Sequence, residues 1–445
     1  MHILHITEYC HAGSIGGTER YILDLVRGLG DAGIKNTIGW LTVAESIELS
    51  KCRGIRVIAL PSPAMRIDAP VSGFRQKAEQ LLDSEKPDLL HFHTFGLSEA
   101  VVAKLARQRK IPYAFTYHSP AWTCRRETML LYGKNPCDGE VRAWRCSSCQ
   151  SEERLGKGRL AGHVATAVSL AGGWVTLPLG ATSLRRRSAF YYDTLHRGDE
   201  LRNFLAHCKL VVSCCDWSRP VLIKNAARVE AVRDCPQGVS MDFISKIQET
   251  KPEVFEKNDG GFTIGCIGRQ SPVKGVHLVM EAFLKVRQPE ARLRIVGWEP
   301  ENANNPYGSR LRKLAEADQR IVLVPKMDLE ATINEYRHLS LLAIPSIGLE
   351  TGPLTLLEAS AMGVPVYGSN CVGQINFLKE RGRVIEPGTP EAWHRAFEEA
   401  IARHQEGTWN QEVHRARGNT PIRTMGQVTA EMIQSYRQMA PLSSL

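Results

Sequence analysis

The chain has 445 residues, 43% of them hydrophobic and 23% charged. That predicts two or three domains with sizeable cores and excludes a disordered or fibrous chain. The formal charge of +9 suits an anionic substrate or an anionic membrane surface. Dense Lys/Arg stripes with interleaved aromatics are missing, which excludes a nucleic-acid partner.

The N-terminus "MHILHITEYC" has no basic leader and no small-residue cleavage site, so no signal peptide is expected. No window reads as a membrane span, and the expected location is the cytoplasm. "MHILHIT" reads as a strand and "HAGSIGGTER" as a turn. In "YILDLVRGLGDAG", Tyr21, Ile22, Leu25, Val26 and Leu29 make one helical stripe. Further strand candidates are "NTIGWLTV", "IRVIAL", "DLLHFH", "YAFTYH" and "KLVVSC". The polar "GVSMDFISKIQETKPEVFEKNDGG" reads as a linker. After it the alternation restarts with "FTIGCIG", "RLRIVG", "RIVLVP", "LSLLAIP" and "VPVYGS", with helical stretches between them. "MGQVTAEMIQSYRQMA" reads as a terminal helix.

Strands alternating with helices predict an α/β fold of two doubly wound, Rossmann-like domains facing a central cleft. The expected division is 1–240, with a cysteine-bearing insertion at about 122–200, then 241–420. A terminal helix within 421–445 is expected to pack back on the first domain. Ligands of such sheets bind beyond the carboxyl ends of the strands. Gly16 and Gly17, His118, Arg269 and Lys274, and Glu350 all follow strand candidates.

The segment "SIGLETGPLTLLEASAMGVPV" places Glu350 and Glu358 on either side of Gly352-Pro353. It reads as a loop followed by a helix opened by Pro353 and closed by Gly363. The amides of Thr351 and Gly352 then stand at the positive end of a helix dipole, where an anion is favoured. "GRQSPVKG" adds Arg269, a planar fork, and Lys274, a point charge. The two loops together are suited to a diphosphate. A capping glutamate, a solvated helix glutamate and two solvated cations are the plain alternative.

The Glu-x7-Glu segment, the "GR-x4-KG" loop and the N-terminal "GGTER" loop resemble glycosyltransferase family 4. The resemblance is strongest over 262–375. It implies a retaining, nucleotide-sugar-dependent enzyme of the GT-B fold. By resemblance, Glu350 meets the donor sugar near the reacting carbon and Glu358 accepts from the ribose hydroxyls. Arg269 and Lys274 neutralise the diphosphate, and Thr351 and Gly352 offer amides to the donor. His118 reaches the donor sugar, while Gly16 and Gly17 admit phosphate and acceptor. The implied donor is a UDP- or GDP-sugar, with no catalytic divalent metal. The implied acceptor is a glycan or a lipid-linked glycan in polysaccharide or cell-surface assembly. Two departures touch the acceptor side. Ser119 follows the cleft histidine where Asp is usual, and "QGVS" (Gln237–Ser240) replaces "NGVD".

Four cysteines, Cys124, Cys137, Cys146 and Cys149, form a metal-site pattern with a terminal Cys-x2-Cys. Four thiolates suit a structural zinc or an iron–sulfur cluster, zinc ranking first because it needs no assembly machinery. A redox pair is the alternative. Cys10, Cys52, Cys208, Cys214, Cys215, Cys235, Cys266 and Cys371 read as packed thiols. "HVATAVSLAGGWVTLPLGATSLRRRSAFYY" is too rich in Gly and Thr to span a membrane. It is compatible with peripheral contact on the inner membrane face through Arg185, Arg186 and Arg187, or with a packed helix bearing a solvated Arg cluster. Rival functions are a glycoside hydrolase using the two glutamates, a sugar-nucleotide epimerase and a non-catalytic scaffold.

Overall fold

The computed structural model describes residues 1–8, 16–42, 49–52, 54–62, 71–156, 158–176, 190–249, 261–299, 301, 304–386 and 388–439. The chain divides into two compact units. One is Met1–Pro236 with Val428–Leu445, and the other is Gln237–Gln427.

The first unit holds a sheet of eight strands: β1 (His2–Thr7), β2 (Lys35–Thr42), β3 (Leu49–Cys52), β4 (Ile55–Pro61), β5 (Leu89–Phe92), β6 (Tyr113–Tyr117), and, after a short hairpin of β7 (Leu130–Leu131) and β8 (Asn135–Pro136), β9 (Leu210–Ser213) and β10 (Val232–Asp234). Their order is β10-β9-β6-β5-β1-β2-β4-β3. All pairings are parallel except β3 with β4. Buried on both faces, the strands read as near-continuous apolar runs. Ile3, Leu4, Leu89, Leu90, Phe115 and Val211 are fully enclosed.

The second unit holds β11 (Thr263–Ile267), β12 (Arg292–Trp298), β13 (Ile321–Pro325), β14 (Leu341–Ile344), β15 (Val366–Ser369) and β16 (Arg383–Ile385). Their order is β13-β12-β11-β14-β15-β16, all parallel. One apolar cluster gathers Phe283, Trp393, Phe397 and Trp409, and another gathers Phe243, Tyr336, Leu356 and Leu357.

Two boundaries differ from the sequence reading. The units divide after Pro236, four residues before the expected 240. The cause is Val239, whose amide donates to the Arg423 carbonyl (2.8 Å) and whose carbonyl accepts from the Met425 amide (2.8 Å). The expected linker is in part a helix, Met241–Glu249, with Phe243 fully buried; 250–260 lie outside the described residues. The terminal helix spans Met425–Met439. Its Tyr436 hydroxyl stands 2.6 Å from His91 Nδ1 in the first unit's interior.

Candidate active site

In an open parallel sheet, a crevice forms where the strand order reverses. In the second unit that point falls between β11 and β14, which are neighbours. β11 leads to the exposed Arg269 and to a short helical turn, Pro272–Lys274. β14 leads to Ser346, Glu350, Thr351 and Gly352. The two loops touch, since the amides of Ile347 and Gly348 donate to the Val273 carbonyl (2.9 and 3.2 Å). Gly275 permits this: its φ is +67°, and a Cβ there would stand 2.1 Å from the Pro345 carbonyl oxygen.

The contact brings Lys274 Nζ to 2.8 Å from Glu350 Oε2. The other carboxylate oxygen accepts from the Ser346 hydroxyl. The Glu350 amide donates to the Cys371 carbonyl (2.9 Å). A Cβ on Gly373 would stand 1.9 Å from the Glu350 carbonyl oxygen. Gly373 is therefore a positioning residue that the sequence reading missed; its only signal is a glycine shortly after a buried strand. Gly352 has φ +151°, and a Cβ there would press on Gln374. Thr351 is buried. The following helix, Leu354–Met362, has Pro353 at its N-cap with no side-chain cap, and Gly363 at its C-cap with φ +72°. Pro353 is thus the cap and not the first helical residue. Glu358 is only 5% exposed, so it is not a solvated helix residue. Its Oε2 accepts from the Tyr336 hydroxyl at 2.9 Å.

In the first unit, Gly16 caps the helix Gly17–Asp31, and its amide donates to the Glu19 carboxylate. The turn before it, 9–15, lies outside the described residues. His118 follows β6 and is buried, with its ring edge-on to Tyr21 at 4.7 Å between centroids. Burial lowers its pKa to about 3, so it is neutral. His118 does not stand alone. His5, His91 and His93 are wholly enclosed beside it, at the β1/β5 reversal of this sheet. Sequence reading passed over them because they lie inside apolar strand runs. The alternation in "HFH" was the available signal. Nearby, burial and the neighbouring Glu8 push Glu99 up to about 8, while the Thr94 hydroxyl donates to it at 2.5 Å.

The described cysteines are all free thiols; Cys10 and the side chain of Cys52 are not described. Cys124 follows the turn Pro120–Trp122, Cys137 follows β8, and Cys146 and Cys149 share one face of the helix Ala143–Leu155. Burial raises the Cys124 thiol to about 11, and Cys137 and Cys149 add to that. Cys137 and Cys149 likewise raise Cys146. Cys149 Sγ accepts from the Tyr132 amide at 3.1 Å. The intervening loop holds Glu127, Met129 and Tyr132 at positive φ, which costs roughly 1–3 kcal/mol each and persists only where surroundings impose it. Among the described residues, His5, His91 and His93 form the one group of three whose ligand atoms all lie within 4.8 Å. No three of the four cysteine sulfurs lie within that distance of one another.

Two family models match in succession: Glycosyltransferase Family 4 over 15–146 and Glycosyl transferases group 1 over 247–411. The solved structures most like this one include sucrose-phosphate synthase from Thermosynechococcus elongatus (TM-score 0.66, 17% identity, 98% of both chains). Anabaena HepE in complex with UDP and glucose is similar as well (TM-score 0.63, 14% identity, 98% of this chain and 100% of that one). So is WaaG, a glycosyltransferase involved in lipopolysaccharide biosynthesis (TM-score 0.61, 14% identity, 97% and 99%). The fold is therefore GT-B. With the two family models, it supports a glycosyltransferase of the family 4 type. Among curated proteins, an exopolysaccharide phosphotransferase of Streptomyces coelicolor is 32% identical over 37% of this chain and 17% of its own length. A D-inositol 3-phosphate glycosyltransferase of Mycolicibacterium smegmatis is 28% identical over 34% of each. The chain thus spans 17% and 34% of the length of these two relatives.

Proposed function

We propose that this protein is a retaining glycosyltransferase. It moves a sugar from a nucleoside-diphosphate sugar to a glycan or lipid-linked acceptor in polysaccharide or cell-surface glycan assembly. The observation that carries this reading is the Lys274–Glu350 pair, which joins the loops after β11 and β14 at the point of strand reversal. There a cation, a carboxylate and an uncapped helix start lie together.

In this reading Arg269, Lys274 and the amides of Thr351 and Gly352 take the diphosphate. Fixed donors aimed at a departing diphosphate supply several kcal/mol of transition-state stabilisation. Glu350 is freed from Lys274 as phosphate arrives and meets the sugar hydroxyls. Glu358, oriented by Tyr336, receives the ribose. From the first unit, His118 meets the sugar, and Gly16 and Gly17 line the phosphate and acceptor path. Retention follows from front-face attack, with the leaving phosphate accepting the acceptor's proton. No catalytic divalent metal is needed. The donor carries uridine or guanosine. A hydrolase with Glu350 and Glu358 as acid and base fits less well, because Glu358 is buried against Tyr336. A nucleotide-sugar panel tests the reading. Release of nucleoside diphosphate that depends on added acceptor supports transfer, and release or isomerisation without acceptor supports a hydrolase or an epimerase.

The four cysteines hold a structural zinc in this proposal, an iron–sulfur cluster being the second choice. Thiols become thiolate ligands when a cation is bound. Elemental analysis and an absorption spectrum of anaerobically purified protein decide between the two, and Cys146→Ser should lose the metal. Peripheral membrane contact is proposed through the helix Gly158–Thr176, on which Leu160, Val164 and Val168 are exposed at four-residue spacing. Arg185, Arg186 and Arg187 lie outside the described residues. Among the described residues no helix is long and apolar enough to cross a membrane. Anionic vesicles should co-sediment the protein, and serine at those three positions should weaken this.

A further inference from the structure

A file of imidazole rings runs through the first unit. His5 on β1 is the register partner of His91 on β5, and His93 lies two residues on, facing the same side. His5 Nε2 stands 3.1 Å from Asn36 Oδ1, and His5 Nδ1 stands 3.1 Å from His93 Nε2. His93 Nδ1 in turn stands 3.1 Å from His118 Nε2. Burial lowers His5 to about 4, His118 to about 3, and His93 well below the usual range. All three rings are therefore neutral, and each has one N–H donor and one acceptor nitrogen.

Asn36 gives the file its direction. Its amide nitrogen donates to the carbonyls of Ile34 (2.7 Å) and Val26 (3.4 Å). Turning the amide over would set its oxygen against two carbonyl oxygens. Oδ1 therefore faces His5 and can only accept. His5 Nε2 must then carry hydrogen, which leaves Nδ1 to accept from His93 Nε2. His93 Nδ1 accepts in turn from His118 Nε2.

We propose that Asn36 is a positioning residue that, through His5 and His93, holds His118 as the Nε2–H tautomer, with Nδ1 an acceptor for a sugar hydroxyl. The tautomer stands on the hydrogen-bond geometry of buried, neutral rings, and only the sugar rests on the transferase reading. Whatever meets Nδ1 must bring a hydrogen. A hydroxyl does so and an ionised carboxylate does not, so the contact favours a hydroxyl over a carboxylate at the sugar position it meets.

A metal on His5, His91 and His93 is the competing use of these rings. Both nitrogens of His5 and His93 already serve the file. His91 is engaged on both sides, by Tyr436 (2.6 Å) and Thr116 (2.8 Å). A metal would have to displace these hydrogen bonds.

The test is nitrogen-15 NMR of the full chain with labelled histidine and no nucleotide. The His118 signals are assigned by their loss in His118→Gln. The expected wild-type spectrum has a protonated Nε2 and an unprotonated Nδ1 at His118. Asn36→Leu, which removes the acceptor, should add a second set of His118 signals from the other tautomer. Asn36→Asp, which keeps an acceptor, should retain a single set. A wild-type proton on Nδ1, or an unchanged spectrum in Asn36→Leu, overturns the proposal. So does a shift of the His5 and His93 signals on adding zinc ion. Should Asn36→Leu fail to fold, the wild-type spectrum decides by itself. Because no nucleotide is used, a wrong tautomer is distinguishable from a failure of the transferase reading, which shows as absent nucleotide binding.

Discussion

The two units place their polar groups in opposite ways. In the second, Lys274 and Glu350 form an ion pair on loops, with side chains 34% and 12% exposed. In the first, His5, His91 and His93 are fully enclosed, fixed by strands, and uncharged. Near solvent, charge can be kept at low cost and turned toward an anionic ligand. In the interior, charge is expelled and orientation is what remains. On the proposed function, the second unit supplies the field for a diphosphate, and the first supplies a ring of fixed orientation.

Glu350→Ala tests the charged side hardest. It should lower transfer by about a hundredfold to a thousandfold, the scale of a lost transition-state contact, in a steady-state assay with saturating donor. Activity near wild type would remove Glu350 from its role. Lys274→Ala should weaken nucleoside diphosphate binding by roughly tenfold to a hundredfold, as expected for a charged hydrogen bond. Its stability should change by less than about 1 kcal/mol, because the pair is partly exposed. A large drop in Tm with unchanged affinity would make the pair structural only.

The neutral side is probed by acid. The pKa values of His5 and His118 are depressed in the folded chain, to about 4 and about 3. Below the unfolded value of about 6.5, the unfolded chain binds protons that the folded chain refuses. Their contribution to stability is therefore lost as pH falls from about 6.5 toward 4. Tm should decline over that window, and more shallowly in His118→Gln. An equal slope in the variant would mean that His118 is not a buried neutral ring. The smallest effect expected is that of Tyr336→Phe, which removes one buried hydrogen bond to Glu358. It should cost about 1 kcal/mol in denaturant unfolding.

Legibility in the sequence divides along similar lines. The parallel strands were readable because each buried strand is a short apolar run between breakers. β3, β10 and β16 do not read as strands; "LSKC", "VRD" and "RVI" are edge strands too brief to stand out as apolar runs. The helix Met241–Glu249 reads as linker because polar residues outnumber the fully buried one that anchors it, Phe243. Glu350 and Lys274 stood out because each belongs to a compact motif with its own glycine. Their contact, made possible by Gly275 and braced by Gly373, depends on chain segments far apart and was not visible. The imidazole file was invisible for the same reason. It draws on residues 5, 36, 93 and 118, which meet only through sheet register.

The most direct test is a calorimetric titration of a panel of nucleoside diphosphates into the wild-type protein and Lys274→Ala. One nucleotide should bind tightly to the wild type and clearly more weakly to the variant. No binding across the panel, or equal binding to both proteins, would contradict a donor-diphosphate site at the β11/β14 reversal.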